Sequence, residues 1–232
     1  MKVERHDIGV SGSRVLLADD FLANADRVVD LAEALAPFPE EKETAYPGLR
    51  RQISPGDEAS AYVMALLRQV APLLRSEFGA PAFSVMEASF SLVTTRPEAL
   101  RPVQRVPHFD FDDPNVIAII HHLHTIEDSG TAFYRHIATG LECADVSNSA
   151  ALRAALRQDG LRLSEMETGF ADDTNPFCEP VFFAAARFNR LVMYQGCLLH
   201  SGRIGPGFAY DRAPRNGRLT ANIFVRLNGG QP

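Results

Sequence analysis

Residues 107–111 read Pro107-His108-Phe109-Asp110-Phe111. In an extended chain, side chains two apart lie on one face. His108 and Asp110 therefore project together, and Phe109 and Phe111 point the other way, into a core. Outward from this segment, short apolar or alternating runs occupy residues 83–94, 116–124, 130–134, 181–188, 191–194 and 219–227, with turn residues between them. Many short strands at such intervals predict a sandwich or barrel. Phe90 and Phe224 repeat the apolar alternation of Phe109 and Phe111.

The front of the chain has a different period. Asp19 and Asp20 precede Phe21-Leu22, and apolar residues recur at Val28, Val29, Leu31, Ala32 and Leu35 until Pro37 and Pro39. That is an acidic start, a helical spacing and a stop. Residues 40–56 are polar and rich in Pro and Gly, and read as loop. A second helix fits 57–78, with Tyr62, Val63, Leu66, Leu67, Val70, Leu73 and Leu74 as its stripe, Pro72 within it and Gly79 as its C-cap. Residues 149–158 read as an inserted helix. The order predicts a single, mainly β domain over 1–232. Its helical part is 15–80. Its core at 83–227 is a jelly roll, that is a double-stranded β-helix of two facing sheets, with the two N-terminal helices packed on the outer face of one sheet. The long stretch at 137–180 reads as an insertion or lid. It and residues 202–217, rich in Gly, Pro and polar groups, are expected to border the pocket mouth.

Composition excludes several classes. With 46% hydrophobic residues in 232, the chain has the apolar content of a globular protein. Its net charge of -6 argues against a nucleic-acid partner. The longest apolar runs are too short to cross a membrane, and the opening residues lack the apolar stretch of a secretory leader, so the expected compartment is the cytoplasm. Cys143, Cys178 and Cys197 are widely spaced with no CxxC pair, so neither a disulfide framework nor a zinc knuckle is expected. From Arg187 onward there are seven Arg against one Asp, with no Lys or Glu. A basic segment inside an acidic protein suits a small anionic ligand.

His108 and Asp110 are two of the three donors that a divalent metal needs. Two His and one carboxylate on one face leave positions open for a co-substrate and oxygen, as in non-haem Fe(II) oxygenases. The second His is best supplied by His200, which ends an apolar run that turns at Gly196. His121, His122 and His124 compete: His122 and His124 share a strand face and can join His108, but they leave the segment 197–202 unexplained. His6 and His136 have no comparable context. Further on, alternation in Gly217-Arg218-Leu219-Thr220 puts Arg218 and Thr220 on one face. A guanidinium grips a carboxylate through two hydrogen bonds, and a neighbouring hydroxyl adds another.

In the order His-x-Asp, His, Arg-x-Thr, the chain resembles the Fe(II)- and 2-oxoglutarate-dependent oxygenases, on their prolyl-4-hydroxylase-like side. The resemblance covers roughly residues 83–227, with a weaker echo in 16–35. It implies that His108, Asp110 and His200 bind Fe(II) and that Arg218 holds the distal carboxylate of 2-oxoglutarate, with Thr220 beside it. Ser129-Gly130-Thr131-Ala132-Phe133 resembles the family's GGxTxF strand, with Ser for the first Gly. His122 stands where relatives often carry a Tyr that helps bind 2-oxoglutarate. The 18 residues from His200 to Arg218 exceed the usual spacing, and the loop between them offers Arg203, Arg212 and Arg215 as other anchors. The implied activity is oxygenation, with hydroxylation of an unactivated C–H bond. The partners are then 2-oxoglutarate, O2 and a substrate left open between amino acids, peptide or protein residues and other small metabolites. Relatives that halogenate lack the carboxylate, so Asp110 implies oxygen transfer. The alternative is a cupin-like metal-binding protein without oxidative turnover, which has no use for a buried guanidinium facing the metal.

Overall fold

The computed structural model describes residues 1–41 and 45–229. In chain order the described residues form β1 (Lys2–Ile8), β2 (Ser13–Asp19), α1 (Asp26–Ala34), β3 (Gly48–Gln52) and α2 (Ser60–Phe78). There follow β4 (Ala82–Val93), β5 (Val116–His122), β6 (Ser129–His136) and α3 (Ser149–Glu165). β7 (Cys178–Ala185), β8 (Arg190–Gln195), β9 (His200–Ile204) and β10 (Leu219–Asn228) complete the chain. Seven strands make one antiparallel sheet, in the order β1-β2-β8-β5-β10-β4-β3, and three make a second, β7-β6-β9. The architecture is mainly β, two antiparallel sheets in the manner of a jelly roll.

Strand alternation sorts the large sheet into two faces. Leu16, Phe90, Ile117, Ile119, Met193 and Ile223 join Val28, Val29 and Ala32 of α1 and Leu66, Leu67 and Val70 of α2 in one buried cluster. The residues between them turn the other way. Val15, Leu17, Val116, Ala118, Val192 and Phe224 meet Phe133 and Ala184 of the small sheet. A third cluster lies under α3, where Leu152, Leu156 and Leu163 pack on Phe109, Tyr134 and Leu199. Phe109 and Phe111 thus enter different clusters: Phe111 packs edge-on against Phe224, with ring centroids 5.3 Å apart.

One polar network crosses the helix side. The Tyr62 hydroxyl lies 2.9 Å from His121 Nδ1, and His121 Nε2 lies 3.1 Å from Asn189 Oδ1. A carbonyl oxygen only accepts, so Nε2 carries the hydrogen and Nδ1 accepts from the hydroxyl. Asn189 also accepts from the Leu22 amide and donates to the Leu22 carbonyl. Burial lowers the His121 pKa to about 4, against the opposing effect of the Asn189 hydrogen bond.

Several expectations shift. The acidic pair Asp19-Asp20 does not open a helix: β2 runs through Asp19, and α1 begins at Asp26. Asp19 is taken by the buried Arg190, whose Nη2 donates to Oδ2 at 2.7 Å, and Asp20 turns the chain at φ 51°. Within the expected loop 40–56, residues 42–44 lie outside the described residues, and 48–52 form β3. α2 ends as its glycine signalled, with Gly79 left-handed at φ 67°. α3 runs past 158 to Glu165, through Gly160, which lies close against a neighbouring segment. A Cβ there would lie 2.5 Å from the Pro102 carbonyl oxygen. The cysteine expectation is overturned as well, because Cys143 and Cys197 form a disulfide. Their chain separation of 54 residues hides a close approach: the Ala144 amide donates to the Cys197 carbonyl at 2.8 Å. Among the described residues, no helix is long and apolar enough to cross a membrane.

Candidate active site

His108 and His200 are brought together by backbone. Each amide donates to the other's carbonyl, at 2.9 and 2.8 Å, in an isolated antiparallel bridge. The amides of Asp110 and Phe111 both donate to the Gly196 carbonyl, at 2.9 and 3.2 Å. The turn between β8 and β9 therefore clamps the His108–Asp110 segment, although that segment is no regular strand. His108 Nε2 lies 3.6 Å from Asp110 Oδ1, and His200 Nε2 lies 3.5 Å from Oδ2. Among the described residues these three form the one group of candidate metal donors, with all ligand atoms within 4.8 Å of each other. His122 and His124 lie 3.4 Å apart and are not part of it. His6 sits against Phe182, and His136 is bonded to Asp159 and Thr139.

The chemistry of the donor set fits a divalent metal. His200 Nδ1 lies 2.9 Å from the Leu198 carbonyl, so Nδ1 carries the hydrogen and Nε2 turns a lone pair to the site. Desolvation lowers the His108 pKa well below its ordinary value, with the charges of His200 and Arg50 pushing the same way, although the side chain is 42% exposed; the direction favours a neutral imidazole. Burial raises the Asp110 pKa, opposed by His200 and Arg50 and reinforced by Glu87. The Asp110 carboxylate faces two imidazole nitrogens at distances too long for hydrogen bonds. A cation satisfies all three groups at once, and it stabilises the charged form of the Asp110 carboxylate, which burial alone disfavours.

The three donors line a cavity of about 430 Å³ that Arg218, Thr220, Thr131, Ser201 and Tyr194 also line. Arg218 is buried. Its Nε donates to Ser129 Oγ at 2.7 Å and its Nη2 to the Gly130 carbonyl at 2.8 Å. Those contacts come from the stretch that resembles the glycine-rich strand, and they fix the guanidinium plane. Burial lowers the Arg218 pKa, while Tyr46 and Tyr194 act in the opposite direction. The other candidate anchors are engaged at the surface. Arg203 pairs with Asp173, Arg212 with Glu40, and Arg215 with Asp30 and Glu33, and none lines the cavity. His122 is directly opposite Thr220 in the β5–β10 register and is fully buried, with Nε2 unpartnered. It is not among the residues lining the cavity.

Tyr194 is among the cavity residues that escaped the sequence reading. The Tyr194 ring packs edge-on to His200, with centroids 4.9 Å apart, and its buried hydroxyl has no partner. Burial raises its pKa well above the ordinary value. The signal was a lone hydroxyl inside the apolar run 191–194.

Residues 1–225 match a protein family described as a family of unknown function, DUF6445. The chain belongs to that family. No curated protein matches it in sequence. Solved structures extend the likeness for this DUF6445 member. HygX from Streptomyces hygroscopicus, with nickel, 2-oxoglutarate and hygromycin B bound, has a TM-score of 0.55 at 10% identity, over 93% of this chain and 83% of that one. SnoN, a non-heme alpha ketoglutarate dependent epimerase from nogalamycin biosynthesis, has 0.54 at 11%, over 94% and 80%. AviO1 from Streptomyces viridochromogenes has 0.50 at 18%, over 94% and 91%. These likenesses establish a shared fold.

Proposed function

We propose that this DUF6445 chain is an Fe(II)- and 2-oxoglutarate-dependent oxygenase that hydroxylates an unactivated C–H bond. The observation that carries the reading is the convergence of His108, Asp110 and His200 on a cavity that also holds a buried, braced guanidinium. Iron(II) bound with 2-oxoglutarate supplies the oxidising chemistry. In the net reaction one atom of O2 enters the substrate as a hydroxyl, the other enters succinate, and CO2 is released. HygX, solved with nickel and 2-oxoglutarate and separately with iron, supports this assignment by the shared fold.

The chain's own groups then have distinct tasks. Two imidazoles and one carboxylate would hold the metal on one face and leave the others open. Arg218, held in plane by Ser129 and Gly130, offers the rest of its fork to the distal carboxylate of 2-oxoglutarate. Thr220 Oγ1 and the unpartnered Tyr194 hydroxyl are the neighbouring donors; His122, opposite Thr220 in register but outside the cavity lining, is proposed as a third partner. The chain acts as one domain, with 137–180 as a lid. Arg153 and Phe170 from that stretch line the cavity, which supports the assignment. A metal-binding protein without turnover is disfavoured, because it would gain nothing from burying Arg218.

The test is uncoupled turnover. Purified protein with Fe(II), ascorbate, O2 and 2-oxoglutarate should form succinate, and Asp110→Ala should not. Absence of both succinate formation and 2-oxoglutarate binding in the metal-loaded protein would remove the reading.

A further inference from the structure

Arg218 is not the only guanidinium that reaches the cavity from the large sheet. Arg50 projects from β3, which the edge of that sheet places across β4 from β10. Arg50, Ser91, Thr220 and His122 stand opposite one another in register across four strands, so they share the cavity-side face. Arg50 is largely buried, its side chain 15% exposed, and its guanidinium carbon sits 4.8 Å from the centre of the Tyr46 ring. Its Nε is buried without a hydrogen-bond partner. Its Nη1 meets Glu87 Oε1 only at 3.5 Å, the outer limit for such a bond. Glu87 accepts a second bond from Gln52 Nε2 at 3.1 Å and lines the same cavity.

A buried guanidinium with an idle donor, lining the same cavity as the metal donors and carried on a different strand from the braced Arg218, fits a second anion. A carboxylate loosely paired with it fits a cation next to that anion. We propose that the primary substrate is a free α-amino acid. Its carboxylate rests on Arg50, its ammonium on Glu87, and its side chain points toward His108, Asp110 and His200. The proposal rests on the oxygenase reading above and names its substrate class. Size agrees: a cavity of about 430 Å³ is near the lower end for ligand sites and must also hold the co-substrate. Val103, Val106 and Phe170 on its wall suit an apolar side chain.

The experiment uses the full chain loaded with nickel(II) in place of iron, saturated with 2-oxoglutarate, and titrated calorimetrically with the twenty proteinogenic amino acids. The methyl ester and N-acetyl derivative of any binder follow. At least one amino acid should bind, and its ester and N-acetyl form should bind at least about tenfold more weakly. Arg50→Ala should weaken the amino acid by about tenfold or more while 2-oxoglutarate affinity changes less than about twofold. Arg218→Ala should instead weaken 2-oxoglutarate. If Arg50→Ala does not fold, as read from its melting curve, Arg50→Lys and Glu87→Gln carry the same comparison. Binding of 2-oxoglutarate with no amino acid bound, equal affinity for acid and ester, or amino-acid binding indifferent to Arg50 and Glu87 each overturns the inference and leaves the oxygenase reading standing. Failure of the metal-loaded protein to bind 2-oxoglutarate overturns both.

Discussion

On its helix side the seven-stranded sheet presents Leu16, Phe90, Ile119, Met193 and Ile223. On its cavity side the same strands, one residue out of step, present Arg50, Glu87, Thr220 and Tyr194, with Arg218 just ahead of β10. The first set is packed against α1 and α2. Its Tyr62–His121–Asn189 network is fully bonded. The second set keeps buried groups idle, including Arg50 Nε and the Tyr194 hydroxyl. Unsatisfied buried polar groups destabilise a fold. They persist where the rest of the structure compensates, and here the compensation lies on the reverse of the same strands. Stability and recognition are thus separable by the parity of a strand position, and mutations can test that separation.

The largest effect should come from breaking the helix side. Phe90→Ala removes a fully buried ring stacked with Phe38 and Tyr62 and should cost about 3–5 kcal/mol in urea unfolding. Metal affinity of the folded fraction should stay within a few-fold. On the cavity side, His200→Ala should weaken nickel binding by more than about 100-fold, beyond the loss typical of outer-shell changes. Its unfolding free energy without metal should move by only about 1 kcal/mol. A large loss of stability there would merge the two faces.

Acid should strike the helix side too. His121 has a folded pKa of about 4, against about 6.5 in the unfolded chain. Between those values the unfolded state binds the proton and the folded state does not. The stabilisation is therefore complete above about pH 6.5 and lost as pH falls toward 4, by an amount on the order of 3 kcal/mol. Urea titrations across that window should show the slope, and His121→Gln should reduce it. His124, held near 3 by burial and Arg218, contributes in the same direction and leaves a remainder.

Smaller effects sharpen the cavity side. Arg218→Lys keeps the charge but loses the planar fork and should weaken 2-oxoglutarate by about 2 kcal/mol, more than tenfold, with metal binding nearly intact. Calorimetry of the nickel-loaded protein reads this directly. Smallest of all, Arg212→Ala should change 2-oxoglutarate affinity by less than about 0.5 kcal/mol, since its exposed pairing with Glu40 is a surface contact.

The parts of this arrangement that were legible in the sequence are those set by short-range rules. His108 and Asp110 stand two apart, Arg218 and Thr220 stand two apart, and both pairs face the cavity. The α2 stripe and its Gly79 cap were equally local. β3 was read as loop because Leu49 is the one apolar side chain in Gly48-Leu49-Arg50-Arg51-Gln52, so no alternation signals a strand. Glu87 and Arg50 acquire meaning only when β4 and β3 pair, 35 residues apart in sequence for the Glu87–Gln52 contact. Tyr194 was masked by the apolar residues around it. Asp19 was read as a helix start, although its real partner, Arg190, lies 171 residues away.

The Cys143–Cys197 disulfide joins the residue three before His200 to the segment leading into α3. That position makes the choice of reductant part of any measurement. Ferrous iron is commonly kept reduced with either ascorbate or dithiothreitol. A dithiol also attacks disulfides, through thiolate exchange, whereas ascorbate has no thiolate to do so. If a dithiol reaches the buried Cys197, preparations handled with the two reagents differ covalently in the turn that carries a metal donor. Rates from one buffer should not be pooled with affinities from the other.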